Sequence, residues 1–208
     1  MTTALDTLTK RLSYIVGESM AHQLKNDGLD LDTDAIALAI NDVMAGNPSR
    51  LTEAEKRSTV EQVQKESQEK QMAMQAEQSA KNKVAGAAYL AENAKKEGVS
   101  TTASGLQYKQ LVAGNGKKPT TSDRVKVHYH GTLIDGTVFD SSYQRGEPIV
   151  FPVTGVIAGW IEGLQLMNVG SKFELTIPSN LAYGAHGSGQ TIGPDATLVF
   201  EVELLGIE

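Results

Sequence analysis

Two histidines are the first residues whose type and spacing suggest chemistry. His128 and His130 alternate with apolar residues, so both side chains are expected on one face of a strand. Two imidazoles on one face could begin a metal site, but such a site needs further ligands. No carboxylate and no third histidine falls in local register, so we expect no metal. His186 lies in a glycine-rich segment and is interpreted as a solvated loop residue, with contact to a substrate as the alternative.

Other chemical signatures in the 208 residues are incomplete. The chain contains no Cys, which excludes disulfides, thiolate nucleophiles and cysteine-ligated metals. The spacing Asp30-x-Asp32-x-Asp34 starts like a calcium loop. That loop requires a glycine where this chain has Ala35 and a glutamate where it has Asn41. The net charge of −6 argues against a nucleic-acid partner, and no run of eighteen apolar residues predicts a membrane helix.

The segment from Pro178 to Ala196 is the strongest local sign of a functional site. It has 19 residues and no regular apolar pattern, and connections of that length are usually functional or disordered. It is also more apolar than a linker needs to be, since it carries Tyr183, Ile192 and Pro194. We interpret it as a loop folded over a site.

The elements around this loop are predicted to be strands. Apolar residues alternate with polar ones from Val125 to Leu133, and Asp135-Gly136 is typical of a hairpin turn. Alternation also predicts strands near 106–112, 173–177 and 198–204, while residues 156–164 have helical spacing. The fold class indicated is α+β, an antiparallel sheet with one helix packed on it.

The N-terminal half is predicted to be helical. Only 2 of the 11 aromatic residues precede Gly98. Apolar periodicity indicates helices near 5–24 and 36–44, and Asp32 or Thr33 could cap the second. A long helix is expected from Thr52 to Glu97, where Thr52-x-x-Glu55 forms a capping box. Its middle is polar on all sides, which is typical of a helix that bridges domains through solvent.

These patterns divide the chain into three parts. We expect a helical dimerisation domain at 1–63, a long spacer helix at 64–98 that starts near residue 52, and a C-terminal domain at 99–208. Two short amphipathic helices and one end of a long helix make a thin core. Residues 1–63 are therefore expected to complete their core against a second copy. A solitary domain, a different partner and a bundle within one chain are the alternatives.

Several motifs of the C-terminal half agree with one family in order and spacing. They are residues 127–142 (VHYHGTLIDGTVFDSS), 155–163 (GVIAGWIEG), 182–184 (AYG) and 196–205 (ATLVFEVELL). With them the region 105–208 resembles the FKBP-type peptidyl-prolyl cis-trans isomerases. The helical half, including residues 91–98 (AENAKKEG), is similar to the dimerisation region of bacterial Mip-like FKBPs, in which a long helix holds two catalytic domains apart.

The resemblance implies an antiparallel sheet wrapped around one short helix, with a prolyl pocket between them. The catalytic residues that it implies are Tyr129, Phe139, Asp140, Trp160, Tyr183 and Phe200. The substrate-binding residues that it implies are Arg145, Ile149, Val156, Ile157 and Ile192. Trp160 would form the floor, and Arg145 would pair with Asp140 at the rim. The Ile157 N–H and the Tyr183 hydroxyl would hold substrate carbonyls.

Some of these positions allow another interpretation or depart from the family. Asp140 could instead be a turn residue tied to its own backbone, and Trp160 could be ordinary core. Ile149 stands where many family members carry an aromatic residue. Thr191 and Gly193 stand where Ile and Pro are common. These departures affect the expected peptide preference and macrolide affinity more than the expected activity.

The resemblance implies an enzyme that accelerates X-Pro isomerisation in folding proteins, without any cofactor. It also implies a homodimer that binds unfolded or partly folded clients like a chaperone, and macrolide inhibitors of the rapamycin type. The alternative is a chaperone or adaptor that binds prolyl peptides without catalysis. Because residues 1–17 contain no secretory signal, we expect a cytoplasmic protein. A periplasmic location is the alternative if a leader has been removed.

Overall fold

The computed structural model describes residues 4–26 and 31–208. The chain divides into two compact units, Met1–Gln64 and Lys65–Glu208. The sequence Asn26-Asp27-Gly28 predicts the end of the first helix, but Asp27 and Gly28 lie outside the described residues. So does Asp30 of the calcium-like spacing.

Three helices account for the N-terminal half, namely α1 (Leu8–Asn26), α2 (Thr33–Met44) and α3 (Glu53–Asn93). Asp32 caps α2, because its Oδ1 accepts hydrogen bonds from the N–H groups of Asp34 and Ala35, both at 2.9 Å. This confirms one of the two predicted caps. No residue of α1 or α2 is buried within the described part of this unit.

The long helix begins at the capping box that its sequence predicts. The Thr52 N–H donates to Glu55 Oε2 at 2.8 Å, and the Glu55 N–H donates to Thr52 Oγ1 at 3.3 Å. The helix has 41 residues, or roughly 60 Å at 1.5 Å per residue. It ends at Asn93 rather than at Glu97, and turns lead from there to Gly98, whose φ is +79°.

The C-terminal half forms one antiparallel sheet, as the sequence predicts. Its strands are β1 (Val99–Thr101), β2 (Gln107–Val112), β3 (Arg124–Leu133), β4 (Val138–Ser141), β5 (Ile149–Pro152), β6 (Lys172–Ile177) and β7 (Leu198–Ile207). Their order is β1-β2-β6-β7-β3-β4, and β5 pairs with β3. The helices are α4 (Ser142–Arg145) and α5 (Ala158–Leu166). Strands β1 and β5 and helix α4 are not predicted from the sequence, because three or four residues are too few to show a period.

The α5 helix packs directly on the sheet and forms the core with it. A Cβ at Gly159 would lie 2.4 Å from Ile177 Cγ2, and one at Gly163 would lie 2.7 Å from Leu175 Cδ1. Glycine at both positions therefore lets the helix come close to β6. Leu164 on α5 and Met167 directly after it are fully buried in the core.

None of the helices in the described ranges 4–26 and 31–208 has the length and apolar content needed to cross a membrane.

Candidate active site

A cavity of about 640 Å³ lies in the C-terminal unit. Ten of the eleven residues implied by the family resemblance line it, and they are Tyr129, Phe139, Asp140, Ile149, Val156, Ile157, Trp160, Tyr183, Ile192 and Phe200. The eleventh, Arg145, lies outside the lining. Residues up to 71 positions apart in the chain thus converge on one concave surface, and half of these ten residues are aromatic.

Aromatic rings build the base of the cavity. The Trp160 ring meets Phe200 edge-on at a centroid distance of 5.1 Å and Tyr129 at 5.3 Å. Phe139 meets Phe200 in the same way at 5.3 Å. Edge-to-face packing is favourable for aromatic rings and holds each ring at a defined angle. Trp160 is only 5% exposed, so it belongs to the core and to the cavity wall at once.

A three-residue polar cluster lies at one edge of the cavity. The Tyr129 hydroxyl donates to Asp140 Oδ2, and Arg145 Nη1 donates to Asp140 Oδ1. Arg145 Nη2 also donates to the Tyr129 hydroxyl oxygen at 2.8 Å. Arg145 therefore contacts both polar wall residues although it does not line the cavity itself.

The contacts within this cluster change the pKa values of Asp140 and Tyr129. Burial alone would raise the pKa of Asp140, but the hydrogen bonds from Tyr129 and Arg145 outweigh it and lower that pKa below its ordinary value. Burial and the Asp140 hydrogen bond raise the pKa of Tyr129. Asp140 is consequently a carboxylate at neutral pH, and Tyr129 is a neutral hydrogen-bond donor.

Strand pairing places this cluster. Gly131 of β3 lies opposite Asp140 of β4, which brings Asp140 close to Tyr129 on the same strand as Gly131. Immediately after β4, α4 carries Arg145 back toward the pair, and the Ser141 side chain caps this short helix. Asp140 bonds to the Ser141 backbone as well as to Tyr129 and Arg145. The local turn interaction and the cross-strand contacts therefore coexist.

The histidines are not part of the cavity lining. His128 Nδ1 lies 2.9 Å from the Ser142 hydroxyl, which also accepts the Tyr129 N–H at 2.7 Å. The His128 ring stacks on Tyr143 at 4.6 Å. His128 thus supports the start of α4. His186 is exposed and lies outside the lining.

The segment from Pro178 to Ala196, which we call the flap, covers one side of the cavity. Two short 3-10 turns, Ser179–Leu181 and Gly184–His186, shape its first half. Its tip is closed by a bridge in which the Ser188 N–H donates to Ile192 O at 2.8 Å. Ile192 is 8% exposed and faces the cavity, while Tyr183 is 39% exposed at its mouth.

The structure adds six residues to the lining that sequence reasoning missed. They are Phe151, Gly155, Ser188, Gly189, Gln190 and Thr191. Phe151 packs on Trp160 with a centroid distance of 5.6 Å. An aromatic residue directly before Pro152 could have indicated a short edge strand. The sequence does not mark any single one of these flap residues as part of the lining. They reach the cavity through the course of an irregular backbone and not through a particular type of side chain.

Family comparisons agree with this geometry. The family model described as FKBP-type peptidyl-prolyl cis-trans isomerase matches residues 115–205. A model described as the domain amino terminal to FKBP-type peptidyl-prolyl isomerase matches residues 9–109. Together the two matches cover both units of the chain.

Individual relatives match over nearly the whole length. The FKBP-type 22 kDa peptidyl-prolyl cis-trans isomerase of Escherichia coli strain K12 is 48% identical and aligns with 99% of this chain and 98% of its own. Outer membrane protein MIP of Legionella longbeachae is 42% identical over 99% of this chain and 88% of its own. The crystal structure of FkpA from Escherichia coli matches with a TM-score of 0.81 at 38% identity, covering 99% of both chains.

These relatives decide between the functional alternatives. Relatives named as isomerases favour the enzyme over a binding module without catalysis. Their names do not support the expected cytoplasmic location, since one of them is called an outer membrane protein. On this combined ground of fold, cavity and sequence, the chain belongs to the FKBP-type peptidyl-prolyl cis-trans isomerases, with the helical N-terminal domain of its Mip-like members.

Proposed function

We propose that the aromatic cavity binds the proline ring of a polypeptide and is the place where this isomerase twists the X-Pro bond. The observation that carries this proposal is the set of perpendicular rings around Trp160. Flat apolar walls fit the pyrrolidine ring and remove it from water. Resonance makes the planar amide more charge-separated than the twisted one. A water-poor surface therefore disfavours the planar state relative to the transition state.

Polar groups at the mouth are proposed to hold the flanking backbone. Ile157 precedes the first turn of α5, and its N–H is proposed to donate to a substrate carbonyl. The Tyr183 hydroxyl is available to a second carbonyl, because it has no bonding partner among the described residues. A contact of Tyr183 or Asp140 that strengthens only as the amide twists would increase kcat rather than ground-state binding.

Removal of one cavity ring tests this proposal. We expect Phe139→Ala to lower kcat/KM on a prolyl tetrapeptide by roughly tenfold or more, because the pocket loses a wall that contacts Phe200. Tyr108→Ala is the matched control, since Tyr108 stacks on Phe173 at 5.8 Å outside the cavity lining. Equal activity of both variants below their melting temperatures would show that the cavity is not the site.

We also propose that the protein is a homodimer whose N-terminal helices bind client chains. Support comes from the apolar surface of α1, where Leu8, Leu12 and Ile15 recur at helical spacing and are each more than half exposed. A helix face of this kind needs a partner surface. A client bound near the dimer would present its prolines to the tethered catalytic units at a raised local concentration.

Substitutions on the apolar face of α1 in the full chain test client binding separately from isomerisation. Leu12→Lys combined with Ile15→Lys should leave tetrapeptide turnover unchanged, because neither residue lines the cavity. The same variant should slow the catalysed refolding of a proline-limited protein by roughly tenfold or more. Lys10→Ala, which removes an exposed charge on α1, serves as the control. Equal losses on both substrates would contradict the tethering proposal.

Two further properties are proposed on the same basis. Macrolides of the rapamycin type should compete with prolyl peptides, because both would occupy the cavity, and quenching of the single Trp would report their binding.

The cytoplasmic location stays a prediction from the sequence. The name of the Legionella longbeachae relative instead favours the cell envelope, and fractionation of cells distinguishes the two locations.

A further inference from the structure

The second half of α3 holds the flap at its C-terminal root. Ser79 Oγ donates to Asp195 Oδ2 at 2.6 Å, and Asn82 Nδ2 donates to the Pro194 carbonyl at 2.7 Å. Lys83 Nζ lies 3.3 Å from the same Asp195 oxygen. Three residues within about one turn of the helix therefore contact two adjacent flap residues.

The helix itself is fixed to the sheet on the far side of this contact. Asn93 is 2% exposed and donates to Gln107 Oε1 at 3.0 Å and to Thr176 Oγ1 at 3.2 Å. Gly86 lies between the two contacts, where a Cβ would come within 2.4 Å of Thr197 Oγ1. The helix thus rests directly on the start of β7 and provides a rigid base for the flap.

Asp195 is the residue on which these bonds converge. Its φ is +55°, and it is the only residue other than glycine with a positive φ among those described. That conformation is unfavourable for most residues with a side chain, although Asp tolerates it better than most. Asp195 is nevertheless nearly buried, and its N–H donates to Gly184 O at 2.8 Å, which closes the flap at its base. The bonds from α3 offset the cost of the strained backbone.

The root of the flap is close to the cavity wall. Ile192 precedes Asp195 by three residues, lines the cavity and pairs with Ser188 across the flap tip. A shift of the backbone at 194–195 would therefore move the wall that Thr191 and Ile192 form. The side chains of α3 that bond to Pro194 and Asp195 lie outside that lining.

We infer that Ser79 and Asn82 of α3 are positioning residues for the isomerase, because they hold the flap in the conformation that completes the prolyl cavity. The spacer helix is then part of the active-site framework as well as a connector. The inference rests on the proposal that this cavity is the prolyl site. Preorganisation of the wall reduces the ordering cost that a bound peptide would otherwise meet.

The experiment uses the full chain with Ser79→Ala, Asn82→Ala and the double variant. We expect KM for a prolyl tetrapeptide to rise roughly tenfold in the double variant, with a smaller change in kcat. Titration of Trp160 fluorescence with the same peptide should show a matching loss of affinity. Amide hydrogen exchange should accelerate at Ile192 and Asp195 but not in β3 or β7. Ser67→Ala and Gln75→Ala are the controls, because both residues are exposed on the same helix.

The possible outcomes separate this inference from the proposed function. Wild-type KM and wild-type flap exchange in the double variant would overturn the positioning role. Equally accelerated exchange throughout the C-terminal unit would also overturn it, because the residues would then serve general stability. If Phe139→Ala lowers activity while the double variant does not, only the positioning role fails. If Phe139→Ala has no effect either, the cavity itself is wrongly identified.

Discussion

At the scale of single residues, the Tyr129, Asp140 and Arg145 cluster shows how a charge can be kept at an apolar cavity. Asp140 accepts hydrogen bonds from both partners, and Arg145 compensates its charge. An unpaired carboxylate at this edge would lose solvation without compensation. The cluster therefore fixes the Tyr129 ring, which forms part of the wall, through the hydrogen bonds of its hydroxyl.

The lowered pKa of Asp140 leads to a pH prediction. A carboxyl whose pKa is lower in the folded than in the unfolded state stabilises the fold above its unfolded value, near the reference 3.8, and that stabilisation is lost as pH falls through the folded value. We expect Asp140→Asn to melt at a lower temperature than the wild type at pH 7. The difference should shrink toward pH 3, as followed by Trp160 fluorescence.

Glu147→Gln is the control for this measurement, because Glu147 is exposed on the loop that follows α4. Its melting temperature should equal that of the wild type at both pH values. A difference between Asp140→Asn and the wild type that does not depend on pH would mean that shape rather than charge accounts for the Asp140 effect.

At the scale of elements, α3 combines two different environments in one helix. Its first half carries a capping box and is exposed, whereas its second half has Gly86 and Asn93 buried against the sheet unit. Helix propensity and the cap suffice to form the first half. Tertiary contacts hold the second half, which is why its composition changes from Glu and Gln to Ala and Gly.

The capping box can be tested by its effect on helix stability. Thr52→Ala removes the hydroxyl that accepts the Glu55 N–H, and such a change costs about 1 kcal/mol. We expect the N-terminal unit to unfold at a lower urea concentration by far-UV circular dichroism, with unchanged tetrapeptide turnover. Thr59→Ala lies in the exposed helix interior, where Ala has the higher helix propensity, so its effect should have the opposite sign. Two variants that shift in the same direction would contradict the capping role.

At the scale of the whole molecule, the two units bury very different amounts of apolar surface. The sixteen buried hydrophobic residues of the core cluster all lie in the C-terminal unit. The described N-terminal helices α1 and α2 have none. A unit without its own core depends on association for its stability, and mass action then makes that stability depend on concentration.

This difference predicts two melting transitions. The helical signal at 222 nm should melt at a temperature that rises with protein concentration, since a hundredfold increase is equivalent to about 2.7 kcal/mol for a dimer. Trp160 fluorescence should report a second transition that does not move. The Leu12→Lys, Ile15→Lys variant should lose the concentration dependence of the first. Invariance of both transitions in the wild type would argue that the N-terminal helices fold without a second copy.

Elements with long patterns can be predicted from the residues, whereas short ones cannot. The strands β3 and β7 have ten residues each, and alternation covers residues 125–133 of β3 and 198–204 of β7, so both strands can be predicted from the sequence. The strand β5 has four residues and was missed, and Phe151 of the cavity wall was missed with it. The two ends of α3 differ in the same way. Its start can be predicted because it has a capping box, whereas its end at Asn93 is set by contacts with β2 and β6.

The residues alone were enough to predict α1, α2, α5, the start of α3 with its capping box, the long strands and, through the motifs, the family and ten residues of the cavity wall. These depend on period, on turn chemistry or on residues that stand together in the chain. The position of Arg145 outside the wall and the bonds from α3 to the flap are visible only in the folded chain. Ser79 and Asp195 are 116 residues apart. No local pattern encodes a hydrogen bond over that distance, because it forms only once the helix and the flap pack on the same sheet.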